Sequence, residues 1–279
     1  MHAPPNYLSL TFRAAPQKAF FLLFVLWISA CGQRAANQPA GDPQQVSRSE
    51  TELAADTWQR QGETRAALEH ALRAVELDAK NADAQHLAAL LYLDFCRATR
   101  IGECRLAEAE KHARAAIAVR EDFLEAQNTL AVVLIHQQRY KDAQKILVPI
   151  TQNILYATPE IAWGNLGWAH LLQGEQQQAI SALRRAVAAQ PLFCVGNYRL
   201  GIAYHQSEAL ESAARALSRA LETDAPGCSA MQDAYLERAQ VYLKLGKTQL
   251  GRADLDRCIE LSSSSDAGKQ CNALMSSLH

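Results

Sequence analysis

A self-similar spacing near 34 residues constrains this chain more than any other feature. Trp163, Leu166, Gly167, Gly174, Ala179, Leu183, Ala186 and Pro191 stand at offsets that recur elsewhere in the sequence. Trp58, Gly62, Ala67 and Ala74 repeat them upstream. Leu200, Gly201, Tyr204, Ala213, Leu217 and Ala220 repeat them downstream, followed by Tyr235, Ala239, Tyr242, Gly246 and Leu255. A fixed period of that length means helix-turn-helix units stacked in a row. The register predicts repeats at 48–81, 82–123, 124–159, 160–193, 194–231 and 232–265, with a capping helix over 266–279. The fold class is therefore expected to be all-α, a superhelical solenoid of six helix-turn-helix repeats with a C-terminal capping helix. Gly or Ala at the eighth position and Ala at the twentieth let the two helices of a hairpin approach closely, and larger side chains at positions four, seven and eleven fill the seams. No hairpin of this kind buries its apolar face alone, so stability comes from stacking.

This pattern resembles the tetratricopeptide repeat. The resemblance speaks strongly about fold and weakly about function: such arrays are scaffolds whose concave face is built mainly by the first helix of each repeat. The sequence contains no HExxH, GxSxG, Walker loop, GxGxxG or CxxC spacing, so it offers no recognisable catalytic or nucleotide-binding motif. Single histidines such as His112 and His170 read as surface or seam residues, because a metal site needs clustered ligands. We therefore expect a non-enzymatic protein with no cofactor and no metal.

The first acidic residue is Asp42, and Arg13 and Lys18 precede an apolar run from Phe20 to Ile28. A basic region followed by a short apolar one reads as a signal peptide, residues 1–30. Nine apolar residues fall well short of the ~20 that a transmembrane helix needs. Ile28-Ser29-Ala30-Cys31 resembles the lipobox of bacterial lipoproteins, with Cys31 as the acylated first residue of the mature chain. The competing readings are an ordinary signal peptide with a coincidental cysteine, or a buried core helix. Gly32, where an Asp would imply inner-membrane retention, implies by the same analogy the outer membrane, with the chain facing the periplasm. Acyl chains contribute about 0.8 kcal/mol per buried CH₂, so several on one residue hold a protein firmly. Residues 31–47, with Pro39, Gly41 and Pro43 among polar residues, read as a flexible tether. Removing Arg13 and Lys18 with the signal segment leaves 26 Lys and Arg against 29 Asp and Glu, a net charge of about −3. Nucleic acid is not an expected partner, since that calls for a basic patch.

Apart from Cys31 there are six cysteines, which permit 15 connectivities. The repeat register narrows them. Cys96 and Cys104 flank an insertion peculiar to the second repeat. Cys194 opens the fifth repeat, and Cys228 lies in the enlarged connection to the sixth, whose first helix is its neighbour. Cys258 is on the last repeat helix and Cys271 on the helix that caps it. The expected pairs are Cys96–Cys104, Cys194–Cys228 and Cys258–Cys271. Cysteines that merely substitute for the small residues of a seam are the alternative.

Ile154-Leu155-Tyr156-Ala157-Thr158-Pro159-Glu160 followed by Asn165-Leu166-Gly167 is more particular than a repeat consensus. It resembles the PilF/PilW/Tgl family of outer-membrane lipoproteins. Those are six-repeat pilotins that promote assembly of the secretin ring through which a type IV pilus leaves the cell. Gln190-Pro191-Leu192-Phe193-Cys194 and Tyr198-Arg199-Leu200-Gly201 look most like the Tgl branch, and the cysteines point the same way. The resemblance implies two partners: a type IV pilus secretin, through an amphipathic helix of it, and the bilayer through acylated Cys31. A repeat scaffold serving peptidoglycan enzymes or outer-membrane protein insertion would share lipobox and array. A periplasmic enzyme with a helical accessory is disfavoured, because the array leaves no room for a second domain.

By tetratricopeptide geometry, positions two, five, nine, twelve and thirteen of each first helix line the concave face. In the first repeat these are polar: Ser49, Glu52, Asp56, Gln59 and Arg60. Repeats two to five place Leu90, Leu93, Val132, Ile135, Trp168, Leu171, Leu172, Val195, Tyr198 and Ile202 there. A contiguous apolar patch marks a partner site and suits the apolar face of an amphipathic helix. Burial of some of these side chains between neighbouring first helices, or under the cap, is the competing reading.

Overall fold

A computed structural model describes residues 41–97, 104–222 and 227–278. The expectations for the signal peptide, for Cys31 and for most of the tether fall on residues outside that set. From Asp42 onward the described chain forms one compact unit, and every regular element in it is helical. The first repeat comprises α1 (Pro43–Gln61) and α2 (Thr64–Leu77), the second α3 (Ala82–Arg97) and α4 (Leu106–Val119). The third comprises α5 (Leu124–His136) and α6 (Tyr140–Gln152), the fourth α7 (Pro159–Leu172) and α8 (Gln176–Ala189). The fifth comprises α9 (Cys194–Gln206) and α10 (Leu210–Leu221), the sixth α11 (Gln232–Lys244) and α12 (Thr248–Leu261), and α13 (Asp266–Ser276) closes the array.

The array begins earlier than the sequence register placed it. Residues 43–47, read as tether, are the first turns of α1. Asp42 caps that helix, its carboxylate accepting from the Gln44 amide at 3.2 Å, and Pro43 occupies the first helical turn, where its missing N–H costs nothing. Ser47 is buried, donating its hydroxyl to the Ala74 carbonyl at 2.7 Å.

In repeats one, three, four, five and six the first helix turns back into the second through a residue in the left-handed region. Glycine takes that place in repeats one, four and six (Gly62, Gly174, Gly246), while Gln138 and Glu208 take it in repeats three and five. Close packing at the eighth position has the expected cause. A Cβ on Gly167 would lie 2.5 Å from Leu183 Cγ, and one on Gly201 would lie 2.5 Å from Leu217 Cγ.

Helices pack in chain order, and each first helix also touches the next one: α1 with α3, α3 with α5, α5 with α7, α7 with α9, α9 with α11 and α11 with α13. No comparable contact joins successive second helices among the described residues. A ribbon whose first helices are drawn together and whose second helices are splayed curves with the first-helix layer inside. The hydrophobic clusters cross repeat boundaries. One joins Leu130, Leu134 and Ile150 to Tyr156, Ala162 and Leu166; another joins Leu171 and Leu183 to Leu200 and Ala203. Every boundary is thus part of the core, as stacking stability requires.

Candidate partner-binding surface

The residues of the first-helix layer divide by register. At position nine, Leu90, Val132, Trp168 and Ile202 are all half-buried, forming a row across four repeats. Val195 and Tyr198 at the start of α9 are half-buried too, and Leu172 at position thirteen is 40% exposed. Position twelve departs from the expectation. Leu93 and Ile135 are only 6% exposed and Leu171 only 5%, each inside a hydrophobic cluster. These three do not line a groove: position twelve points into the seam between consecutive first helices, one helical step round from position thirteen.

In the fifth repeat the seam position is His205. It is 9% exposed, and its Nδ1 meets Glu237 Oε1 of α11 at 2.6 Å while its Nε2 has no partner. His205, Leu236, Gln240 and Leu274 line a cavity of about 700 Å³ between α9, α11 and α13.

Trp168 is held more firmly than a free anchor would be. Its ring packs against the two clusters flanking α7, and the Arg199 guanidinium lies 5.3 Å from its centroid. Arg199 ends a polar ladder that pattern reading missed. Asn165 donates to Asn128 Oδ1 at 3.1 Å, and Arg199 donates to Asn165 Oδ1 at 2.9 Å and to the Gly164 carbonyl at 3.1 Å. The ladder ties α5, α7 and α9 together inside the apolar layer. A signal for it existed in α7, where Asn165 stands alone among apolar and small residues from Ile161 to Ala169, and a buried Asn must find partners. One repeat upstream, His86 of α3 meets the Thr129 hydroxyl at 2.9 Å and stacks edge-on against Phe123. Burial pushes the His86 imidazole down to about 4, outweighing the carboxylates of Glu125 and Asp83 that act the other way. Burial, with Asp233 and Glu237 nearby, raises the Tyr198 phenol well above its ordinary value. His86 is thereby held neutral, in a half-buried apolar row crossed by fixed polar rungs.

The structure brings the six described cysteines together as Cys96–Cys104, Cys194–Cys228 and Cys258–Cys271, with Cα separations of 4.3, 5.9 and 6.4 Å. The first closes the insertion of repeat two, the second joins α9 to the 3₁₀ turn before α11, and the third staples the cap to α12. His112 is buried against Gln85, and His170 is paired with Glu175. Among the described residues no three His, Cys, Asp or Glu side chains converge as metal ligands, and no helix is long and apolar enough to cross a membrane.

These features define a tetratricopeptide-like solenoid, a scaffold class whose members bind other proteins. Family profiles described as tetratricopeptide repeat match residues 153–192 and 232–265. No curated protein sequence matches the chain. Among solved structures, PilW, described as a type IV pilus biogenesis factor, superposes with a TM-score of 0.67 at 22% identity, over 82% of this chain and 99% of its own. PilF of Pseudomonas aeruginosa superposes with a TM-score of 0.64 at 16% identity, over 83% and 99%. A tetratricopeptide repeat protein of Parabacteroides merdae gives 0.65 at 15% identity, over 86% and 87%. At these identities the likeness is one of fold.

Proposed function

We propose that this chain is a pilotin: an outer-membrane lipoprotein, anchored through acylated Cys31, that binds secretin subunits and promotes assembly of the ring of a type IV pilus. The observation carrying this reading is the near-complete coverage of PilW and PilF, each along 99% of its length. A tetratricopeptide repeat protein of Parabacteroides merdae is covered along 87% of its length, so the coverage speaks for the array, and what turns the reading toward the pilus factors is the resemblance of Ile154-Leu155-Tyr156-Ala157-Thr158-Pro159-Glu160 to their family. The lipobox-like Ile28-Ser29-Ala30-Cys31 adds the anchor. The segments 190–194 and 198–201, with the internal cysteines, favour the Tgl branch. The half-buried row Leu90, Val132, Trp168 and Ile202, with exposed Leu172 beside it, offers an apolar helix of the secretin a place to lie.

The test is the heat-resistant secretin multimer. Deleting the chain should leave secretin monomers in place of multimers, and Cys31→Ala should give a folded protein that fractionates away from the outer membrane and supports assembly poorly. Unchanged multimers in the deletion would refute the pilotin role. Capture of cell-wall enzymes in place of secretin would move the chain to the envelope-scaffold class.

A further inference from the structure

Three large aliphatic side chains are more exposed than any others among the described residues: Ile154 at 96%, Leu155 at 85% and Leu192 at 67%. All three lie on one edge of the array. Because helices alternate in direction, the connections α2–α3, α4–α5, α6–α7 and α8–α9 share the edge on which every first helix begins. Ile154 and Leu155 belong to the α6–α7 connection and Leu192 to the α8–α9 connection.

These two connections are also free of charge. No charged residue occurs between Lys145 and Glu160, nor between Arg185 and Arg199. Their counterparts on the same edge differ: the α2–α3 connection carries Asp78 and Lys80, and the α4–α5 connection carries Arg120, Glu121 and Asp122. The first turn is fixed, not loose. The Leu155 amide donates to Asn153 Oδ1 at 2.8 Å, and Tyr156 is buried in the core at 6% exposure. Pro159 then starts α7. The fold thus holds two adjacent aliphatic side chains in water at a rigid tip.

The same edge is where the chain enters the array, since α1 begins there at Pro43. The twelve residue steps from Cys31 to Pro43 reach at most about 43 Å when extended. With neighbouring helices about 8–10 Å apart, the α6–α7 turn lies roughly 25–30 Å along the edge, within that reach.

We propose that this edge contacts lipid: Ile154, Leu155 and Leu192 enter the interface of the bilayer to which Cys31 is attached. The attachment rests on the lipoprotein reading above; the insertion rests on the turns themselves. The occupant is lipid and not a protein pocket because the aliphatic tips, Ile154 with Leu155 on one turn and Leu192 alone on the next, protrude a repeat apart between uncharged polar residues such as Thr151, Gln152 and Gln190. A fluid acyl layer accepts protruding tips of any spacing, and flanks without charge enter the headgroup region without desolvating an ion. The insertion gives a lipid-tethered array a second point of attachment and therefore a fixed orientation.

The test uses the mature chain with Leu155→Cys carrying an environment-sensitive fluorophore, and Glu121→Cys as the control on the charged part of the edge. Each is read on phosphatidylethanolamine–phosphatidylglycerol vesicles, with the chain held either by its own acylation or, as Cys31→Ser, by a C-terminal histidine tag on nickel-chelating lipid. The expected result is a blue shift and quenching by spin-labelled lipid at position 155 and none at 121, in both arms. For the untagged Cys31→Ser chain, Ile154→Asp with Leu155→Asp should lower the vesicle-bound fraction about tenfold or more. A label at 155 that stays in water in the nickel-held arm overturns the proposal, and so does one that shifts only when secretin is added. Absence of acyl mass on Cys31 would sink the lipoprotein reading alone, because the nickel-held arm reports on the turn without it.

Discussion

Leu171 and Leu172 are adjacent in sequence and of one residue type, yet the structure assigns them to different tasks, which makes them a sharp test of the register. Leu171 is 5% exposed, packed in the cluster that joins α7 and α8 to α9; Leu172 is 40% exposed at the end of the same helix. Leu171→Ala removes a buried side chain from a boundary between repeats, and the lost transfer energy plus the cavity cost about 2–5 kcal/mol. For a folded unit of this size, that lowers Tm by roughly 5–15 °C. Leu172→Ala removes a side chain already 40% exposed, so its stability effect should be the smaller, about 1 kcal/mol or less. Urea denaturation followed by circular dichroism measures both, and, on the proposed pilotin role, secretin multimer formation provides the functional reading. Leu172→Asp should reduce multimers at normal protein level and normal helicity, whereas Leu171→Asp should lower the protein level itself. Equal destabilisation by the two alanine variants would show that the assignment of seam and face within α7 is wrong. Stability of Leu172→Asp together with full secretin assembly would remove Leu172 from the binding surface.

Further outcomes follow from other parts of the array. Gly167→Ala should cost about 1–3 kcal/mol, because its new methyl must displace Leu183, whose backbone nitrogen as well as its side chain stands in the way; thermal melts check this. Stability should fall as pH drops from about 6.5 toward 4. In that window an unfolded chain protonates His86 while the folded one, held down to about 4 by burial, does not, a difference of about 3 kcal/mol at the acid end. His86→Gln should flatten that slope, and urea midpoints measured across the window decide it. Breaking Cys258–Cys271 by a double substitution to Ala releases a 13-residue separation and should cost about 3 kcal/mol on loop entropy. Alkylation without reductant should leave all six internal cysteines unmodified.

Much of this was legible in the sequence because a repeat makes each position speak several times. The small eighth position and the turn glycines have one steric cause, visible in Gly167 and Gly201 alike, so period and helix order followed from pattern. Position twelve was misjudged because Leu93, Ile135 and Leu171 are aliphatic in a row, and a row of aliphatics suits a seam as well as a groove. Only the mutual approach of first helices decides between them. The start of α1 was missed for a different reason: Pro43 and the polar residues after it resemble a linker until Asp42 is seen as a cap. The ladder through Asn128, Asn165 and Arg199 was hidden because its meaning lies in contacts 34 and 37 residues apart in sequence.

The separation of position twelve from positions nine and thirteen also fixes how the array can respond to a partner. A ligand along the position-nine row touches Leu90, Val132, Trp168 and Ile202, one residue from each of four successive repeats, and so bridges the boundaries on which stability depends. In a stacked array each boundary opens with its own local free energy. A partner spanning several boundaries must therefore slow the opening of all of them together, even where it makes few contacts with any one. Trp168 is central to this because it packs on the clusters to either side of α7 and lies beneath Arg199, which is itself bonded to Asn165. If the proposed partner, a secretin, lies along this row, amide exchange in α7 and α9 should slow on its binding by more than exchange in α1 and α2, which the apolar row does not reach. Uniform slowing along all the helices, or slowing confined to the first repeat, would place the partner elsewhere on the molecule.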